Sequence, residues 1–387
     1  MELIRRWLLP SIVDLLTLIL QAHLYRFLRE LDWVKRSVLR SRLLRGVYYA
    51  LVAYLLLVVP ELVVPRLGVF SSAALSWLLA ATMLWVVVLL SFGMWVGLHR
   101  HAARRAETMS PGRRAFLRVA TPTLAIAPGV IVAAGLLRAR SGPKLKEVNI
   151  RIPGLHPDLN GLRISQLTDI HYGTFFGRRE LERAVAMANE TRPHIALVTG
   201  DLITRSGDDL QGCMSILKAV RGEAGVWACH GNHEQYAGLE DEATLIGERQ
   251  GFHFMRGASE ILRFGKAKLN LAGIDYQSLG SEPLAGAEEW LVNDALNVLL
   301  SHTPASFDRA AELGFDLTIS GHTHGGQVTL PLGKENLTFA RAFTPYIRGQ
   351  YEREGKQLYV SCGLGTVGVP VRVGADPEVT LIRLCAI

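Results

Sequence analysis

The chain has 387 residues, of which 49% are hydrophobic, and a formal net charge of +7. Residues 1–146 carry 20 Lys and Arg against 6 Asp and Glu, whereas residues 147–387 carry 22 against 29. The basicity belongs to the N-terminal part alone, so a nucleic-acid-binding surface on the mildly acidic C-terminal part loses its support, and the length allows two or three structural units.

Residues 1–140 read as a membrane region with about four spans. Residues 7–25 form the first candidate, interrupted by Asp14 and Gln21. It reads as a spanning helix or as an amphipathic helix lying on the surface. Residues 46–65 form the second; Gly46 to Pro60 is charge-free and the apolar run continues past Glu61. Residues 71–98 form the third. No charge falls between Arg66 and Arg100, which exceeds the ~20 apolar residues a span needs. Residues 119–137 form the fourth, with Pro122 and Pro128 inside it, which a membrane helix tolerates.

Loop charge sets the expected orientation. Arg26 to Arg45 holds seven Lys and Arg, and Arg100 to Arg118 holds six; both segments should face the cytoplasm. Four spans then place everything after residue 140 outside the cytoplasm. Arg138, Arg140, Lys144 and Lys146 run against this assignment, at the outer end of the last span. The stretch GRRAFLR, Gly112 to Arg118, looks like a twin-arginine export signal, although it lies far from the N-terminus. Alternatively, Arg113 and Arg114 are ordinary positive-inside anchors. Both readings give the same orientation.

From about Lys146 the pattern changes. KEVNIRI alternates like a strand, and RRELERAVAMANETRP is an amphipathic helix ended before a proline. LRISQLTDIH, HIALVTGD, GVWACHGNHE, LNLAGID, NVLLSHTP and FDLTISGHTH share one form: a short apolar run, then Gly, Asp, Asn or His. Strands alternating with helices predict an α/β layered domain over residues 146–387. Ligands in such folds bind at the carboxyl ends of strands, where each of these polar clusters falls.

Taken singly, the clusters are weak. Asp169 and His171 would point the same way from an extended segment. Asp201 at a strand end is ordinarily a turn former or helix cap. Asn232, His233 and Glu234 follow the next strand, then His302, then His322 and His324 in SGHTHGGQ. Jointly they offer mixed nitrogen and oxygen donors that suit Mn, Fe or Zn. Seven donors are too many for one tetrahedral ion but fit two ions about 3.5–4 Å apart. Asp201 is the natural bridge. His156, His194, His230 and His253 read as turn or structural residues. Cys213, Cys229, Cys362 and Cys385 lack zinc-motif spacing, and a disulfide among them is permitted outside the cytoplasm.

The order D-x-H, G-D, G-N-H-[DE], H, G-H-x-H resembles the calcineurin-like metallophosphoesterase family. The finer form, including GLG and PVRVGADPEVTLIRL, looks like its membrane-anchored and twin-arginine-exported bacterial branch, except that Arg372-Val373 stands where an Arg-Phe pair is common. The resemblance implies a β-sandwich flanked by helices. It assigns Asp169, His171 and His324 to one divalent ion, and Asn232, His302 and His322 to the other, with Asp201 bridging. His233 would be no ligand, but would face the scissile phosphate as general acid. The implied reaction is metal-activated hydroxide attack on a phosphodiester or pyrophosphate bond. Tethering suggests a lipid-linked or cell-envelope substrate. The alternative is a non-catalytic sensor or assembly protein that keeps the fold, against which the intact donor set argues.

Overall fold

The computed structural model describes residues 2–30, 32–63, 72–104, 110–277, 284–332 and 335–387. They divide into two compact units, residues 1–134 and 135–387. The first holds helices α1 (Glu2–Glu30), α2 (Asp32–Lys35), α3 (Val38–Val63) and α4 (Ser72–Arg104), and most of α5 (Pro111–Ala139). Each candidate span falls within a long helix, apart from residues 64–65 and 71, which lie outside the described residues.

Gln21 interrupts the first apolar run, yet it is 2% exposed. It accepts a hydrogen bond from Trp85 Nε1 at 3.2 Å and donates to Tyr48 O at 3.4 Å, so its polar atoms are satisfied between helices. Tyr25 stacks on Tyr48 at 4.5 Å, and Tyr54 OH donates to Leu78 O at 2.6 Å. Among the described residues, Ser76–Leu98 alone is long and apolar enough to cross a membrane, with Gly129–Ala139 a shorter apolar stretch. The other three runs of the expected multi-pass region do not pass this test among the described residues, so by length and composition one span is supported.

The second unit is a sandwich. Its first sheet has strand order β1-β14-β2-β3-β4-β5 and its second β12-β13-β9-β8-β7-β6. In chain order the elements are β1 (Lys144–Ile152), β2 (Arg163–Leu167), α6 (Arg178–Glu190), β3 (Ile195–Thr199), α7 (Leu210–Leu217), β4 (Val226–Cys229), α8 (Asn232–Ala237), α9 (Glu240–Arg249) and β5 (Phe252–Phe254). Then come β6 (Ala258–Phe264), β7 (Ala267–Ile274), β8 (Leu296–Ser301), α10 (Phe307–Leu313), β9 (Leu317–Ser320), β10 (Leu330–Leu332), β11 (Glu335–Leu337), β12 (Gly349–Arg353), β13 (Lys356–Val360) and β14 (Glu378–Ala386).

Burial explains the sequence patterns. β3 and β8 are buried along their whole length, as parallel strands covered on both faces must be. Between the sheets pack Ile164, Leu197, Trp227, Leu271, Leu300 and Ile319. In α6 the buried residues are Leu181, Ala184, Val185 and Ala188, the spacing of one helical stripe. That stripe closes on Leu167, Val198 and Ala228 of the first sheet. On the far side, Ala310 and Phe315 pack with Ala272 and Leu299. β2, β3 and β4 run parallel, as do β7, β8 and β9, so each sheet carries its strand-end clusters on one edge.

Candidate metal centre

Six of the eight candidate residues follow β2, β3, β8 and β9 at their carboxyl ends, and the other two, Asn232 and His233, open α8 directly after β4. Asp169, His171, Asp201, His322 and His324 have φ between 47° and 71°. That left-handed region is costly for residues with a Cβ, and such strain collects at functional sites. The expected extended Asp169–His171 segment is therefore absent: β2 stops at Leu167, and the two side chains converge through left-handed backbone instead. Gly363 (φ +65°) makes room for this turn, because a Cβ there would collide with the side chain of Asp169. Gly231 does the same for Asp201, whose carboxylate a Cβ would strike.

The donors form two groups that share one carboxylate. Asp169, His171, Asp201 and His324 bring one ligand atom each within 4.8 Å of one another, and so do Asp201, His302 and His322. His171 Nε2 lies 3.1 Å from His324 Nε2 and 3.5 Å from Asp201 Oδ2. His324 Nε2 lies 3.5 Å from Asp169 Oδ1. On the other side, His302 Nε2 is 3.1 Å from the same Asp201 Oδ2 and 3.3 Å from His322 Nδ1. Asn232 directly precedes His233, whose backbone N–H donates to Asp201 at 3.0 Å, and its buried Oδ1 makes no hydrogen bond among the described residues. Such an orphan needs a reason, and a cation supplies one.

Hydrogen bonds around the donors set which atoms are free. His302 Nδ1 donates to Thr199 O at 2.7 Å, which turns Nε2 toward Asp201. Asp169 accepts the His322 backbone N–H at 2.9 Å, and Asp201 accepts that of His233 at 3.0 Å. Burial pulls His171 down to about 3 and His322 to about 4, and holds His324 well below its usual value. These imidazoles are neutral, the form that ligates metal. Burial, together with the neighbouring Asp201, raises Asp169 to about 6. Burial opposes charge on Asp201 and His302 as well, but their mutual attraction outweighs it. Asp201 stays well below the usual carboxylate range and His302 rises to about 10. Two carboxylates and four imidazoles packed this closely fit divalent cations, which would relieve the crowding of like groups.

His233 is half-buried at the rim. Its Nδ1 donates to Thr204 O at 2.6 Å, which turns Nε2 away from that carbonyl. Its ring stands perpendicular to His171 at 4.7 Å and faces Tyr236 at 5.9 Å.

Sequence reasoning noted Glu234 only as an acid beside an imidazole. It is fully buried and accepts the backbone N–H groups of Asp201, Leu202 and Gly231 at 2.7–2.9 Å. It clamps the Asp201 turn onto the start of α8. The Gly-x-x-Glu spacing of a helix N-terminus was the signal that could have found it. Arg372 stands out in the sequence only through the Arg-Val pair of the family resemblance, with no role attached to it. It is fully buried and donates to the carbonyls of Cys362, Gly363 and Gly365. It approaches His324 Nδ1 at 3.4 Å. Gly365 N in turn donates to Asp169 O at 2.7 Å.

The other histidines hold structural places. His230 stacks on Phe254 at 4.7 Å and bonds Thr244. His253 stacks on Trp227 at 4.4 Å, His194 accepts from Arg163 N, and His156 caps a short turn. All four cysteines are free thiols.

A family profile described as calcineurin-like phosphoesterase matches residues 162–326, the interval that delivers every candidate donor. An uncharacterized metallophosphoesterase of Aquifex aeolicus is 31% identical over 231 residues, 58% of this chain and 85% of its own. The chain belongs to the calcineurin-like metallophosphoesterase family. A bovine transmembrane protein with metallophosphoesterase domain is 30% identical over 305 residues, 74% of this chain. A Campylobacter jejuni metallophosphoesterase is 30% identical over 261 residues, 66% of this chain. The alignments span 66% of the length of each of these two relatives.

Proposed function

We propose that this chain is a membrane-tethered, dinuclear-metal phosphoesterase. The carrying observation is the sharing of Asp201 between two donor groups. In this reading Asp169, His171 and His324 hold one divalent ion, Asn232, His302 and His322 hold the other, and Asp201 spans them. When bound, Mn, Zn or Fe ions supply Lewis-acid charge neutralisation and water activation.

The chain's own groups do the rest. Asp201 presents Oδ2 to both donor groups while the His233 backbone N–H occupies Oδ1. Thr199 O fixes the His302 tautomer, the kind of outer partner that orients a ligating imidazole. Thr204 O holds the Nδ1 proton of His233. Nε2 is then the atom that delivers a proton to the leaving oxygen, worth ~10²–10⁴-fold.

The substrate class in this reading is a phosphodiester or pyrophosphate of a lipid-linked or cell-envelope molecule. The apolar helix Ser76–Leu98 and the bovine relative's transmembrane name support tethering. Four spans, an extracytoplasmic catalytic domain over residues 146–387 and a twin-arginine origin for Gly112 to Arg118 belong to the same proposal. They rest on the seven- and six-residue basic segments and the positive-inside rule. The test is hydrolysis of a soluble aryl phosphodiester by the full chain in detergent with Mn. Metal-dependent turnover is expected, and a preparation that binds no divalent ion would end this reading. Reporter fusions after residue 140 test the orientation.

A further inference from the structure

We propose that the sandwich edge carrying the candidate metal centre docks on the lipid bilayer. Phe339 and Phe343 sit at the boundary of head groups and acyl chains, and a basic cavity behind them takes an acidic lipid head group. This deepens the membrane-tethered reading above and rests on it.

Topology places the N-terminal entry into the second unit on that edge. The chain enters the second unit through the last turn of α5, and β1 starts at Lys144. Lys146 pairs with Thr380, and Thr380 with Gln166 of β2. β1 and β2 are antiparallel in this order, so β1 begins where β2 ends and delivers Asp169. Gly135 O accepts from Arg372 N at 3.0 Å, and Arg138 is ion-paired with Asp376. Val373 N donates to Gln327 O and Thr329 N to Val373 O, both at 2.8 Å. Thr338 Oγ1 donates to Gly326 O at 3.1 Å. The end of α5, the His322–His324 loop and the segment bearing Phe339 are thus successive neighbours.

That segment is unusually apolar for a surface. Phe339 is 80% exposed and Phe343 70%, and their rings meet edge to face at 5.3 Å. Leu337, Leu137, Leu145 and Val328 are exposed along the same neighbourhood. A patch of this kind marks an interaction site. Charge decides for a bilayer. Arg138, Lys144, Lys146 and Arg348 surround a cavity of about 550 Å³ with Asp376 and Glu378. Arg138 and Lys144 engage Asp376, and Glu378 accepts from Tyr359 OH and Cys362 N. Among the described residues, no carboxylate lies within ion-pair distance of Lys146 or Arg348. Arg348 Nη1 donates to Gly374 O, but neither cation has a carboxylate partner, and exposed aromatics beside such cations match an apolar interface faced with phosphate.

The test uses the full chain in nanodiscs, with a fluorophore on Phe339→Cys in a Cys385→Ser background. The control reporter is Glu354→Cys, in the turn between β12 and β13 at the far end of the sandwich. Thermal unfolding confirms that each variant folds. Brominated acyl chains are expected to quench the Phe339 reporter, placing it roughly 5–10 Å into the head-group boundary, and to leave the Glu354 reporter bright. Quenching is expected to be stronger in phosphatidylglycerol than in phosphatidylcholine discs, and to weaken with salt. A chain retained in the disc with both reporters equally bright overturns the docking face while sparing the tether. Equal quenching in both lipids overturns the head-group site. Loss of the chain from the disc overturns the tether and this proposal together.

Discussion

The helical unit and the sandwich use apolar residues in opposite directions. In the helices Leu56, Val88, Leu90 and Met94 are between 46% and 61% exposed, while polar Gln21, Thr17 and Ser76 are 2–5% exposed. In the sandwich, β3 and β8 hide every side chain, and the large exposed apolar residues gather mainly by the end of α5 and the Phe339 segment. One chain thus exposes apolar side chains in its helices and hides them in its central strands. The buried polar residues differ as well. Gln21 is satisfied within its bundle, as membrane polar groups usually are. The donors around Asp201 crowd like groups together and leave Asn232 Oδ1 unpartnered. The first arrangement stabilises a fold, and the second is stable with cations in it.

The largest expected effect tests the second arrangement. Asp201→Ala removes the carboxylate common to both donor groups. It is expected to abolish both bound metal and turnover, read by metal content after gel filtration and by Mn-dependent hydrolysis. Retention of two ions would break the shared-carboxylate reading. Next, His233→Ala is expected to keep its metal and lose ~10²–10⁴-fold in kcat. Loss of metal with activity would instead make His233 a ligand.

A matched pair sharpens the contrast in apolar exposure. Leu90 is 56% exposed in α4 and Leu245 49% exposed in α9. Leu90→Arg is expected to cost about 2.5–3.5 kcal/mol in an insertion assay if α4 faces lipid. Leu245→Arg is expected to change unfolding free energy by no more than about 0.5 kcal/mol, as surface substitutions do. Equal costs would erase the distinction. The smallest functional effect is expected from Arg372→Lys. Lysine cannot reproduce the guanidinium fork on Cys362, Gly363 and Gly365. The loop behind Asp169 should loosen, raising the metal requirement about 10–100-fold while kcat at saturating Mn is retained. A fall in kcat with unchanged metal affinity would remove Arg372 from the positioning of the site.

The sequence went furthest where its signals were local. Short apolar runs ending in Asp, Asn or His located β2, β3, β4, β8 and β9, because a strand buried on both faces must be continuously apolar. Those same ends located Asp169, Asp201, Asn232, His302 and His322. Strands β5, β6 and β12 were not picked out, since short or half-exposed strands lack that signature. β6 alternates exposed and half-buried residues. The helical extents of the N-terminal unit were legible. How many of those helices cross a membrane was not, because Asp14 and Glu61 leave their uncharged runs near the minimum length.

By itself the sequence determined which residue types stand at which strand ends, and so the chemistry available. Only the tertiary structure decided that Asp201 touches both donor groups, that Glu234 serves backbone N–H groups, and that Arg372 reaches the loop behind Asp169. The reason is separation along the chain: His171 and His324 stand 153 positions apart, and no local pattern specifies a contact across that interval. Parallel pairing in two stacked sheets brings those distant ends to one edge, and left-handed turns at Asp169, His171 and Asp201 then aim the side chains inward.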